Sequence, residues 1–70
     1  MAGEIPIKNR IKAMREVRNM TQAELGEAVD LTRQTIAAIE QRRYSPSLEV
    51  AFRMAKQFDC KLDDLFEFIN

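Results

Sequence analysis

The stretch Thr21-Gln22-Ala23-Glu24-Leu25-Gly26-Glu27-Ala28-Val29-Asp30-Leu31-Thr32-Arg33-Gln34-Thr35-Ile36-Ala37-Ala38-Ile39-Glu40-Gln41 decides how this chain folds. It begins with a capping box: the Thr21 hydroxyl accepts from the Glu24 amide, and the Glu24 carboxylate reaches back to the Thr21 amide. A helix over 21–29 follows, with Leu25, Ala28 and Val29 expected to face inward. Asp30-Leu31 is long enough only for a tight turn. Thr32 is a good N-cap for the next helix, 32–41, whose Ile36 and Ile39 point to the core. Helices joined by so short a turn bury Leu25, Val29, Leu31, Ile36 and Ile39 against each other and cross steeply. The first turn of the second helix, Thr32-Arg33-Gln34-Thr35, is then turned outward.

Working outward, an upstream helix is expected over about 7–18, with Ile11, Met14 and Val17 on one stripe at helical spacing. Asn19 and Met20 form a short break. Downstream, Gln41 to Pro46 reads as a loop, because Pro46 removes an amide donor and disfavours helix at Ser45. Ser47 caps a helix over 47–58. Its apolar residues, Leu48, Val50, Ala51, Phe52, Met54, Ala55 and Phe58, cover most of the circumference, as in a central helix or one that also faces a partner. A short helix over 62–66 completes an all-α, five-helix expectation for a single domain spanning 1–70. Ile5/Ile7 and Phe66/Phe68 alternate and are able to pair as a small two-stranded patch, against which Pro6 counts.

Seventy residues, 46% of them hydrophobic, suffice for one small core with thin stability, which burial between two subunits would raise. The lone Cys60 allows no intrachain disulfide and reads first as a small buried hydrophobe. The chain has no His, so zinc sites and Cys–His chemistry are not expected. Asp63 and Asp64 are better explained as a solvated helix start than as an acid–base pair. With Gly3 and Gly26 as the two glycines, no phosphate-binding glycine loop exists. An enzyme is not expected, nor a cofactor or metal. No apolar run reaches the ~20 residues of a membrane span, and the first residues lack a signal peptide's apolar centre, so a cytoplasmic protein is expected.

Lysine plus arginine and aspartate plus glutamate both number 11. Up to Arg43 there are eight cations against six anions, and beyond it three against five. The distribution, basic toward the start and acidic toward the end, matters more than the neutral sum. The outward turn is suited to the major groove. Arg33 can donate two hydrogen bonds to guanine O6 and N7, and Gln34 can pair with adenine N6 and N7. The amides at the helix start suit a phosphate. Taken singly, Arg33 and Gln34 are equally compatible with an ordinary solvated surface.

Arg33-Gln34-Thr35-Ile36-x-x-Ile39-Glu40, after Thr21-Gln22-x-Glu24-Leu25 and before Pro46-Ser47-Leu48, resembles the Cro/CI-type (XRE-like) helix-turn-helix regulators, especially their short single-domain members. The similarity runs from about Ile7 to Phe66. It implies a five-helix, lambda-repressor-like DNA-binding domain whose recognition helix, 32–41, lies in the major groove of double-stranded DNA. On that resemblance Arg33, Gln34, Thr35 and Ala38 match base-contacting positions, with direct readout resting mainly on Arg33 and Gln34. Gln22, Thr32, Arg42, Arg43 and Tyr44 match phosphate contacts. Arg10, with Lys8 and Lys12, would add contacts from the first helix, or would form a solvated face. Arg15 and Glu40 match an ion pair that locks the first helix to the recognition helix, so Arg15 is assigned to structure.

Three positions depart from the family pattern. Gly26 stands where Ala is usual, Asp30 where the turn usually carries Gly, and Arg42 where a Gly commonly follows the recognition helix. Asp tolerates a left-handed conformation better than most residues. The expected activity is sequence-specific transcriptional regulation, as a repressor, by a homodimer on an inverted repeat. Phe66, Phe68 and Ile69, with part of the fourth helix, are the expected dimer contact; a core role for Phe66 and fraying of the last residues is the competing reading. An antitoxin-like module that acts by protein contact and binds its operator secondarily is the alternative function.

Overall fold

A computed structural model describes residues 4–69. In chain order the elements are β1 (Ile7–Asn9), α1 (Ile11–Val17), α2 (Gln22–Val29), α3 (Arg33–Glu40), α4 (Leu48–Gln57), α5 (Leu62–Leu65) and β2 (Phe66–Phe68). The five helices surround one core of Ile11, Leu25, Val29, Ile36, Ile39, Met54, Ala55, Phe58 and Leu65. α2 and α3 form the helix-turn-helix, and α4 packs against α2 and α5.

Local chemistry explains the elements. Thr21 caps α2 through the reciprocal bonds with Glu24, at 3.0 Å and 2.8 Å. Thr32 and Ser47 accept from the amides of Thr35 and Val50 at the starts of α3 and α4. Each of the four longer helices ends on a left-handed residue: Asn19, Asp30, Arg42 and Asp59, with φ of 53°, 65°, 62° and 54°. The next amide then folds back to a carbonyl five residues earlier, as in Met20 to Arg15, Leu31 to Gly26, Arg43 to Ala38 and Cys60 to Ala55. Three of those next residues, Met20, Leu31 and Cys60, pack on the core. The fourth is Arg43, and it is exposed.

Gly26 is buried where the α2–α3 turn returns on α2. A Cβ there would lie 2.5 Å from the Leu31 carbonyl oxygen, which accounts for glycine at this point. The left-handed Asp30 makes that return possible.

The ends of the chain depart from the helical expectation. The first helix starts at Ile11, not Ile7, and Ile7–Asn9 pairs antiparallel with Phe66–Phe68, Ile7 opposite Phe68 and Asn9 opposite Phe66. The Asn9 side chain accepts from the Ile11 amide at 3.2 Å, closing the helix start and freeing the preceding residues for the ladder. The last helix accordingly ends at Leu65, one residue earlier than expected.

Two inward assignments change as well. Val17 is 80% exposed, because the buried stripe of α1 runs through Ile11 and Arg15, with Met14 half-buried. Ala28 is exposed, and Gly26 takes the inward position on α2. Among the described residues no helix is long and apolar enough to cross a membrane.

Candidate nucleic-acid interface

The outward turn of α3 stands as its residue types require. Thr32, Arg33 and Gln34 are exposed, while Thr35, Ala37 and Ala38 are half-buried along the same helix. The Thr32 hydroxyl takes the Thr35 amide at 3.1 Å and lies 3.0 Å from the Thr35 hydroxyl, so both threonines stiffen the turn that carries Arg33 and Gln34. Ile36 and Ile39, fully buried, fix the rotation of α3 about its own axis. With those two inside, residues at 34 and 38 fall on the far side of the helix, and Arg33, one turn before Ile36, lies at the flank and is exposed.

Beneath this surface lies a charged lock. Arg15 Nε donates to Glu40 Oε2 at 2.7 Å, and its Nη2 to Glu40 Oε1 at 3.2 Å. Arg15 Nη1 donates to the Met20 carbonyl at 2.9 Å. Both side chains are at most 10% exposed. The hydrogen bond to Glu40 raises the Arg15 pKa above its ordinary value, against the opposing effect of burial. A forked, fully partnered pair of this kind holds the end of α3 to α1 and to the break before α2. Gln22, at the start of α2, extends the lock by donating from Nε2 to Glu40 Oε1 at 3.0 Å.

The groove between the α1–α2 break and the start of α3 is lined by Asn19, Thr21, Gln22 and Arg33, with Arg15 and Met20 below. Gln22 is half-buried there, and its amide is oriented by Glu40. Beyond the other end of α3, Arg43 and Tyr44 are exposed.

Two arginines named for phosphate are placed elsewhere. The Arg42 guanidinium donates from Nη2 to the Ile5 carbonyl at 2.8 Å and lies 3.5 Å from Glu4, while the Ile5 amide donates to the Arg42 carbonyl at 3.0 Å. Arg42 thus clasps the segment before β1, and its buried Nε has no partner. Arg10 donates from Nη1 to the Asp64 carbonyl at 3.0 Å, on the α5 side of the domain.

Asn9 is a positioning residue that sequence reasoning missed. Its Nδ2 donates to the Ile39 carbonyl at 3.0 Å, so one side chain joins β1, the start of α1 and the end of α3. An Asn just before an apolar run is a helix-start signal that points to it. Arg18 was likewise unassigned. It donates to the Phe58 carbonyl at 2.8 Å with its guanidinium 5.2 Å from the Phe58 ring centre, tying α1 to the end of α4. Of the expected dimer residues, Phe66 is half-buried against the core, Phe68 is 68% exposed, and Ile69 donates its amide to the Pro6 carbonyl at 2.8 Å.

Comparison with known proteins follows the same segment. A helix-turn-helix family model matches residues 11–65. An uncharacterized HTH-type transcriptional regulator of Methanocaldococcus jannaschii is 45% identical over 60 residues, covering 86% of this chain and 91% of the relative. The uncharacterized HTH-type transcriptional regulator YgzD of Bacillus subtilis is also 45% identical, with the same coverage of both chains. Among solved structures, the P22 c2 repressor in complex with a synthetic operator superposes with a TM-score of 0.74 at 30% identity, covering 77% of this chain and 82% of that one.

Proposed function

The chain belongs to the helix-turn-helix family, and from that premise we propose that it is a sequence-specific double-stranded-DNA-binding transcriptional repressor. The exposed first turn of α3 carries this reading: Arg33 and Gln34 are the two side chains of that turn able to make bidentate contacts with bases. α3 enters the major groove, with Thr35 and Ala38 making closer, smaller contacts to the bases. Gln22, Thr32, Arg43 and Tyr44 grip phosphates on either side. Gln22 is held in place by Glu40 and therefore ordered before DNA arrives. The likeness to a repressor solved with its operator supports this direction.

One recognition helix covers few base pairs, so the protein acts as a homodimer on an inverted repeat with half-site centres about 34 Å apart. Selection of bound duplexes from a random pool, at two salt concentrations, tests the reading on wild type and on Arg33→Ala/Gln34→Ala. Wild type should enrich an inverted repeat. The double variant should stay folded and lose the preference, each base contact being worth about 1–3 kcal/mol of discrimination. Equal enrichment by both proteins would remove base readout from these residues. A folded protein that binds no duplex would overturn the DNA reading in favour of a protein partner.

A further inference from the structure

The four longer helices end on left-handed residues, and one of those ends is built differently from the rest. Asn19, Asp30 and Asp59 are short polar residues that accept this conformation, and the residue after each packs on the core. After α3 the left-handed residue is Arg42, with φ 62°, and the residue after it, Arg43, is exposed. A long side chain is uncommon at such φ, and Arg43 gives the turn no apolar anchor. The fastening comes instead from the segment before β1. Arg42 Nη2 donates to the Ile5 carbonyl at 2.8 Å, Nη1 lies 3.5 Å from Glu4 Oε1, and the Ile5 amide donates to the Arg42 carbonyl at 3.0 Å. Asn9, donating to the Ile39 carbonyl, adds a second tie three residues earlier. The pose also leaves Arg42 Nε buried without a partner. A left-handed arginine with an unpaired buried nitrogen persists where its surroundings hold it in place.

We infer that Arg42 is a positioning residue for contacts to the DNA backbone. Its clasp on Ile5 and Glu4 stands in for the missing apolar anchor and so aims Arg43 and Tyr44 at phosphates. This rests on the DNA reading above and deepens it. The exchange is what an outward residue 43 requires. An apolar residue there, packed on the core as Met20, Leu31 and Cys60 are, would fasten the turn but offer no cation. With Arg43 outside, the turn that carries it needs another hold, and Arg42 supplies one through the segment before β1. Arg42 itself makes no phosphate contact, because Ile5 and Glu4 engage its outer nitrogens. Reaching a phosphate would open the clasp and loosen the turn that presents Arg43 and Tyr44.

Binding to the selected operator, measured over a series of salt concentrations, tests this. Arg42→Gly accepts the left-handed φ without strain, so the fold should persist by circular dichroism. Its operator binding should weaken roughly 10-fold, the order of one charged hydrogen bond. In an Arg43→Ala/Tyr44→Phe background the same change should weaken binding by less than roughly 2-fold, because the contacts it positions are already gone. There it should also leave the slope of binding against salt unchanged, whereas a direct phosphate contact would lower that slope by about 1. Arg42→Lys keeps the charge but not the fork, and should bind no better than Arg42→Gly. A full effect of Arg42→Gly in the Arg43→Ala/Tyr44→Phe background, or a reduced slope there, would overturn the inference. So would wild-type affinity in Arg42→Gly, or binding restored by Arg42→Lys. Each of these results leaves the DNA reading intact. A folded wild-type protein that binds no duplex would overturn both.

Discussion

Arg15 is the buried charged residue among those described, and its side chain ties α1 to α3 and to the break before α2. Three of its hydrogen bonds end on Glu40 and on the Met20 carbonyl, and almost none of its surface meets solvent. Removing one partner of a buried pair leaves the other charge stranded, so Arg15→Ala should lose about 3–5 kcal/mol in chemical denaturation. A domain of this size holds only about 4–10 kcal/mol in total, so the variant should be partly or wholly unfolded. Arg15→Lys cannot restore the forked geometry and should recover little. Because the folded pKa of Arg15 lies above its unfolded value, its contribution is complete below the unfolded pKa. It is lost only as pH rises through the still higher folded one, so this group should not change stability between pH 6 and 9.

Cys60 has the same sign in a more accessible range. Burial first, and then nearby Asp64, raise its thiol pKa, so stability from the neutral thiol is full below the ordinary thiol pKa and declines at alkaline pH. Alkylation of Cys60 near pH 8 should be slower in the folded protein than in urea; equal rates would show that the thiol is not protected.

At the scale of elements, the α2–α3 turn is the tightest point of the fold. Gly26→Ala would improve helix propensity by about 1 kcal/mol, but the added Cβ meets main chain that cannot swing away. Overpacking of this kind costs about 1–3 kcal/mol, so a net loss of about 1 kcal/mol is expected in urea denaturation. A gain would show that the turn relaxes freely.

The element ends also show where sequence reasoning succeeds and fails. Thr21 with Glu24, Thr32 and Ser47 were legible because a cap is a contact between neighbours in sequence. Ile7 to Asn9 was legible only in part: the alternation of Ile5/Ile7 and Phe66/Phe68 offered the two-stranded patch, but the helical stripe placed the first helix from Ile7. These three residues suit a helix start or a strand, and the partner that decides, Phe66–Phe68, lies at the far end of the chain. Val17 was misplaced for a related reason: an apolar residue was preferred to Arg15 for the inner stripe, although Arg15 has a buried partner in α3.

At the scale of the whole molecule, a core cluster of nine residues among those described leaves little stability to spare in so short a chain. Burial between two subunits would add to it, so the melting temperature should rise with protein concentration. A concentration-independent melting curve for wild type would count against subunit burial.

The ordered capping signals and inward isoleucines between Thr21 and Gln41 determined, from sequence alone, the helix-turn-helix and the outward placement of Arg33 and Gln34. These are local features, set by hydrogen bonds within one turn and by the period of the helix. Which charged residues remain free for a ligand was decided only by tertiary structure. Arg42 turned to Ile5 and Glu4, and Arg10 to Asp64, because long charged side chains bind whatever acceptor the fold brings within reach.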